Sequence, residues 1–233
     1  MPALSKRRKA NIASSSKAVM TPAEAVVALR KFKTPKFDQT VNVVMHLGID
    51  PKQADQIIRG SIGLPHGTGK TARVVCFCNS DKVAAAKAAG AVEAGSDDLV
   101  AKIEGGWMDF DVAVATPDKM RVDSKLGKVL GPKGLMPSPK TGAVTPKIVD
   151  AVKEFKAGKV EYRNDKGGNV HAVLGKLSFK DADLVSNLEA FVQHIEKLRP
   201  PATKGAFIRK VVISGAMTPS VQLKYAAAEE VKS

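Results

Sequence analysis

The chain has 233 residues and carries 37 Lys and Arg against 23 Asp and Glu, a formal charge of +14. That length allows one or two domains with real cores. Hydrophobic residues at 44% and charged residues at 26% exclude wholesale disorder, and no run approaches the ~18 apolar residues of a membrane span. Lys6-Arg7-Arg8-Lys9 leads into Ser14-Ser15-Ser16 in place of an apolar core, which argues against a secretory signal peptide. A transit peptide is a minor reading left open by the late first acid, Glu24. Two cysteines make no disulfide framework and fit a reducing cytosol.

Thr21-Pro22-Ala23-Glu24 predicts a helix start with a capping box and Pro at the first helical position. Val41, Val43, Met45 and Leu47 alternate with less apolar neighbours and predict a half-buried strand. Asp50-Pro51 is read as opening a short helix with Ile57 and Ile58 inward, and Gly60–Gly69 as a Gly/Pro-rich connection. Arg73–Cys78 predicts a strand apolar on both faces, and Asp81–Ala89 a helix closed by Gly90. Ala91–Ala94, Asp98–Ile103 and Asp111–Ala115 read as strand, helix and strand, which together predict a small parallel βαβ domain.

Pro117–Leu126 is expected to be helical, and Thr145-Pro146 to start a helix through Phe155. Val160–Arg163 and Val170–Leu174 flank Asn164-Asp165-Lys166-Gly167-Gly168 and read as a hairpin. Ser178-x-x-Asp181 is expected to cap a long helix striped by Leu184, Leu188, Phe191, Ile195 and Leu198. Phe207–Ser214 reads as a further strand. The fold class is therefore α/β with two domains: a discontinuous α+β outer domain, residues 1–70 plus 160–233, and an inserted βαβ (Rossmann-like) domain, residues 71–159.

The charge is unevenly spread. From Lys119 to Lys147 seven basic residues face one acid, Asp123, whereas seven acids between Glu93 and Asp118 face only Lys102. Such a pattern favours directed binding of an anionic partner, with nucleic acid as the default. Aromatics are only 5%, so recognition by shape and backbone is favoured over stacking on splayed bases. Gly67-Thr68-Gly69-Lys70-Thr71 imitates a phosphate loop, yet Leu64 stands where the motif needs its first Gly. A hinge at Gly67 and Gly69 is the better reading. Cys76 and Cys78 are too few for zinc, and the four histidines share no ligand spacing. No catalytic constellation, metal site or cofactor motif stands out, so the chain is not read as an enzyme.

Lys36-Phe37-Asp38-Gln39-Thr40-Val41, Leu47-Gly48-Ile49-Asp50-Pro51, Leu64-Pro65-His66-Gly67 and Gly106-Trp107-Met108-Asp109-Phe110-Asp111 occur in order. Gly127 through Pro137, Tyr162-Arg163-Asn164-Asp165-Lys166, Gly175-Lys176-Leu177-Ser178-Phe179 and Met217-Thr218-Pro219-Ser220 follow. Together they resemble the large-subunit ribosomal protein L-one family, the protein of the mobile stalk beside the ribosomal exit site. The resemblance implies partners: large-subunit ribosomal RNA, exit-site transfer RNA and the protein's own messenger leader, whose translation it would repress. It also implies a cytoplasmic protein of the large ribosomal subunit, monomeric off the ribosome, with no membrane partner and no cofactor.

Carried over residue by residue, the RNA surface falls on Lys36, Phe37, Thr40, Lys176 and Ser178 and on the loop Met217, Thr218, Pro219, Ser220. Lysines suit phosphates, and the hydroxyls of Thr40 and Ser178 suit a ribose 2′-hydroxyl. Arg163 and His171, on the hairpin, are candidate contacts of the same RNA. Lys128, Lys133 and Lys140 are candidates for transfer RNA or a second RNA contact. The family loop usually reads Thr-Met-Gly; this chain has Ala216-Met217-Thr218. Either Thr218 supplies the lost contact or this interface is weaker.

Overall fold

The computed structural model describes residues 4–16, 18–119, 126–203 and 205–225. The chain divides into two compact units, Met1–Gly69 with Tyr162–Ser233, and Lys70–Glu161.

The first unit opens with helix α1 (Lys6–Ala13) and helix α2 (Pro22–Lys31), the latter closed by the expected Thr21/Glu24 capping box. Strand β1 (Thr40–Leu47) alternates buried and half-buried residues along its whole length. It is central in an antiparallel sheet with β7 (Asn169–Lys176), β8 (Ile208–Gly215) and β9 (Ser220–Leu223), in the order β7-β1-β8-β9. Val41, Val43, Met45 and Leu47 are buried, as are Leu29 of α2 and the stripe Leu184, Leu188, Phe191 and Ile195 of α7 (Asp181–Lys197). The stripe stops there, because Leu198 is exposed.

The second unit is a parallel sheet of β3 (Val74–Phe77), β4 (Glu93–Gly95) and β5 (Val112–Ala115), ordered β4-β3-β5. Helices α3 (Ser80–Ala89), α4 (Asp97–Glu104), α5 (Gly127–Leu130) and α6 (Ile148–Lys156) complete it. Strand β3 is buried on both faces: Val74 and Cys76 pack with Ala86, Val152 and Phe155, while Val75 and Phe77 pack with Leu99, Ile103 and Leu130. Both cysteines are free and buried in strand or strand end, as a core role requires. The fold class read from the residues, α/β with a parallel βαβ part, is the one observed.

Several local readings are corrected. Residues 50–56 form turns in place of a helix: Gln56 Oε1 accepts the Asp50 N–H at 2.8 Å, and Ile57 is exposed. Within the supposed connection lies strand β2 (Arg59–Gly63), which pairs with β6 (Lys159–Arg163). A side chain at Gly60 would strike the Tyr162 hydroxyl, 2.5 Å from the position of its Cβ. The turn at Asn164–Gly168 is present, but β6 and β7 do not form a hairpin ladder. They share a single bridge, Asn164 to Val170; β6 pairs along its length with β2, and β7 with β1. Pro117–Lys119 is a short 3-10 turn, and residues 120–125 of the expected helix lie outside the described residues.

The Gly127–Pro137 stretch is not wholly extended, since α5 makes one helical turn in it. Its apolar residues do pack on their own unit: Leu130 is buried and Val129, Leu135 and Met136 lie against the same core. Finally, α7 is capped by backbone at Lys180 with no side-chain cap, so Ser178 is not the capping residue. Among the described residues no helix is long and apolar enough to cross a membrane, and none of their side chains group as a metal site.

Candidate nucleic-acid interface

Three segments distant in sequence meet at one end of the antiparallel sheet of the first unit. The edge is shaped by a bulge: β1 and β7 change register at Val41/Asn42, which brings Lys176 opposite Thr40. Lys176 Nζ then donates to Thr40 Oγ1 at 3.2 Å. Ser178 bonds Asp38 twice, through Oγ to Oδ2 at 2.8 Å and through its N–H to Oδ1 at 3.2 Å. The third segment is the β8–β9 turn, whose Ala216 N–H donates to the Thr40 carbonyl at 3.0 Å.

Gln39 ties all three together. It is fully buried; its carbonyl accepts the Leu177 N–H at 2.8 Å, and its Oε1 accepts the Met217 N–H at 2.8 Å. Its Nε2 has no partner among the described residues. The acceptor role fixes which end of the amide faces Met217. Around this buried post stand groups open to solvent: Lys36, Phe37 at 53% exposure and Met217 at 56%. Two large apolar side chains held in water among cations form a surface suited to sugar and base faces beside phosphates.

Arg30, on α2, is a further member that the residue pattern did not single out. Its Nε donates to Asp181 Oδ1 at 2.6 Å, and its Nη2 donates to the Phe179 carbonyl. With Lys36, Phe37, Gln39 and Ser178 it lines a shallow hollow of about 370 Å³. Phe179 is half-buried rather than presented: its ring occupies the space a Cβ at Gly175 or Gly69 would need.

Thr218 is turned into the loop, where its Oγ1 accepts the Gly215 N–H at 2.9 Å. The hydroxyl keeps its own proton for a donor bond outward. Ala216 is exposed and offers only a methyl group.

Not every expected residue joins this cluster. His171 is on β7, five strand steps from Lys176, or about 17 Å. It is exposed, with its Nε2 3.5 Å from Asp165 Oδ2. The Asn169 side-chain amide, with backbone N–H groups, holds the Asp165 carboxyl down to about 2, so His171 faces an ionised acid. Arg163 is exposed at the end of β6, beside the Asn164–Val170 bridge, and thus also at the far end of β7.

Lys128, Lys133 and Lys140 are all exposed on the second unit; Lys133 Nζ lies 2.6 Å from Met108 Sδ. Gly67 and Gly69 adopt left-handed φ of 63° and 72°. Gly67–Thr71 runs into a strand, β3, with no helix receiving a phosphate, so it does not have the build of a phosphate loop.

The family described as ribosomal protein L1p/L10e matches this chain over residues 29–219. The chain belongs to that family. Curated relatives named "Large ribosomal subunit protein uL1" are similar along nearly their whole length. The one from Nocardioides sp. (strain ATCC BAA-499 / JS614) is 49% identical over 202 residues, 87% of this chain and 84% of its own. That from Cutibacterium acnes is 47% identical over 229 residues, 97% of this chain and 99% of its own. The family match spans all three segments around Gln39 and ends at Pro219, within the β8–β9 turn.

Proposed function

We propose that this chain is a constituent of the large ribosomal subunit that binds large-subunit ribosomal RNA in the mobile stalk through the Gln39-centred face. One observation carries the reading: a single buried glutamine holds Lys36–Thr40, Lys176–Ser178 and Met217–Ser220 as one surface. The names of its relatives supply the particle. Phosphates would meet Lys36 and Lys176, while Phe37 and Met217 would lie against sugar or base. On this reading the protein works in the cytoplasm at the ribosome, and is monomeric away from it.

The same face would take the protein's own messenger leader, in a fold imitating the ribosomal site. One face cannot hold both RNAs, so free ribosomal RNA would relieve repression by competition. Lys128, Lys133 and Lys140 would contact the outgoing deacylated transfer RNA. The two compact units would act as domains, residues 1–70 with 160–233 binding RNA and residues 71–159 facing transfer RNA.

Co-sedimentation of the purified chain with large ribosomal subunits tests the central claim. Stoichiometric recovery with the subunit, lost on competition with a transcript of the stalk region, is expected. Displacement by duplex DNA as efficient as by that transcript would overturn it in favour of a general basic nucleic-acid binder.

A further inference from the structure

Helix α1 is held by one polar side chain. Asn11 is its only buried residue. Asn11 Nδ2 donates to the Lys33 carbonyl at 3.0 Å, and its Oδ1 accepts the Lys33 N–H at 2.8 Å. This reciprocal pair fastens α1 to the chain just before Lys36. The anchored helix is electrostatically awkward. Its first turn holds Lys6, Arg7 and Arg8 with no acid, so cations crowd the positive end of the helix dipole. Ser5 Oγ accepts the Arg8 N–H at 3.3 Å and supplies the cap, but nothing there offsets the charge.

Between α1 and the β8–β9 turn runs a groove of about 590 Å³. Arg7, Arg8 and Ile12 line one wall, and Met217, Thr218 and Pro219 the other. Neither guanidinium forms an ion pair with a described residue. The volume falls in the range, roughly 300–1,000 Å³, of sites that enclose a group the size of a nucleotide. The wall opposite the arginines is the loop of the Gln39-centred face, so the groove extends that face and is not a separate patch.

We propose that this groove is a second RNA subsite, in which Arg7 and Arg8 bind backbone phosphates of the strand that continues past the Met217–Ser220 loop. The inference rests on the RNA-binding reading above. Guanidiniums suit phosphate through their forked donors, and the crowded cations at the head of α1 are relieved when a polyanion arrives. Asn11 is a positioning residue: both ends of its amide are taken by the Lys33 backbone, and it holds the helix where the arginines reach the groove.

The test uses the full chain and an in vitro transcript of the large-subunit stalk region, titrated at several salt concentrations. Three variants are compared with the unaltered protein: Arg7→Ala/Arg8→Ala, Asn11→Ala, and the control Lys153→Ala/Lys156→Ala, which removes the same charge from exposed positions of α6. The arginine pair is expected to lower the slope of log affinity against log salt by about 1.4–1.8, the worth of two phosphates. Asn11→Ala keeps every charge and is expected to lose part of the same slope, while the control keeps the slope of the unaltered protein. An unchanged slope in the arginine variant, or an equal loss in the control, overturns the subsite. So does release of an arginine effect only with an acidic peptide in place of RNA. Failure of the unaltered chain to bind the transcript overturns the RNA-binding reading as well, and is thereby distinguished from failure of the groove alone.

Discussion

The side chain of Asn187 is bonded to the backbone on both sides of the His66–Gly67 peptide. Its Oδ1 accepts the His66 N–H at 3.0 Å and its Nδ2 donates to the Gly67 carbonyl at 3.0 Å. The same Nδ2 donates to the Leu174 carbonyl of β7 at 2.8 Å. The segment carrying the two glycines read as a hinge is thus tied to α7. Of the two glycines, it is Gly67 that Asn187 holds.

Asn187→Ala is therefore expected to destabilise the protein by about 1–3 kcal/mol, because it removes a fully buried side chain that satisfies one N–H and two carbonyls, the Leu174 carbonyl among them buried. It should also broaden single-molecule energy transfer between dyes placed on the two units, by loosening residues 66–67. An unchanged distribution, with stability lost, would confine Asn187 to a packing role.

Ala216→Thr is expected to tighten binding of a stalk-region transcript about two- to twelve-fold, the worth of one recovered hydrogen bond of about 0.5–1.5 kcal/mol. The change is neutral and should leave the salt slope as it is. Lys36→Ala should instead lower the slope by about 0.7–0.9, one phosphate's share. Weaker binding by Ala216→Thr would mean that Thr218 has taken over the loop's contact with RNA.

Gln39→Leu separates the integrity of the face from its charge. Leucine removes an Nε2 that has no partner among the described residues, which offsets part of the cost of orphaning the Met217 N–H. Stability should change by about 1 kcal/mol or less, while affinity for the transcript falls several-fold with an unaltered salt slope. Loss of slope would show that Gln39 acts through the lysines instead.

One half-buried pair contributes to a fall in stability at both ends of the pH range. Tyr162 Oη and His194 Nε2 lie 2.7 Å apart in the first unit. Burial lowers the His194 value, so below about pH 6.5 the unfolded chain takes up a proton that the folded one resists, and stability declines with falling pH. Burial pushes the Tyr162 hydroxyl up to about 12, so above about pH 10 the unfolded chain releases a proton that the folded one keeps, and stability declines again. In chemical denaturation, Tyr162→Phe should lessen the alkaline decline, leaving the share of Tyr225 and Cys78, which burial also pushes up, and keep the acid one. An alkaline decline of the same size in that variant would assign it to another group.

Elements governed by local signals were legible in the residues. The capping box of α2, the alternation in β1, the doubly buried β3 and the Gly90 stop of α3 all express interactions within a few positions. What escaped depends on partners far along the chain. Strand β2, Arg-Gly-Ser-Ile-Gly, has no apolar period; it is a strand because β6 pairs with it and Gly60 admits the Tyr162 hydroxyl. Ser178 and Asp181 match a cap, but Asp38 claims the serine hydroxyl across 140 positions. The site divides the same way. Lysines and an exposed Phe announce themselves, whereas Gln39 is one amide among polar neighbours until Met217, 178 residues later, closes on it.

The central place of β1 has a consequence for how the chain is made. Its two neighbours, β7 and β8, are both translated after the whole parallel-sheet unit, so β1 leaves the ribosome with two bare edges and nothing to pair with. The Gln39 post likewise stands without its Met217 partner until the chain has emerged 178 residues further. An unfinished chain therefore has the cations of its first segment but no assembled surface. On the proposed function, a product truncated before Met217 would carry those cations without the surface that presents them to RNA.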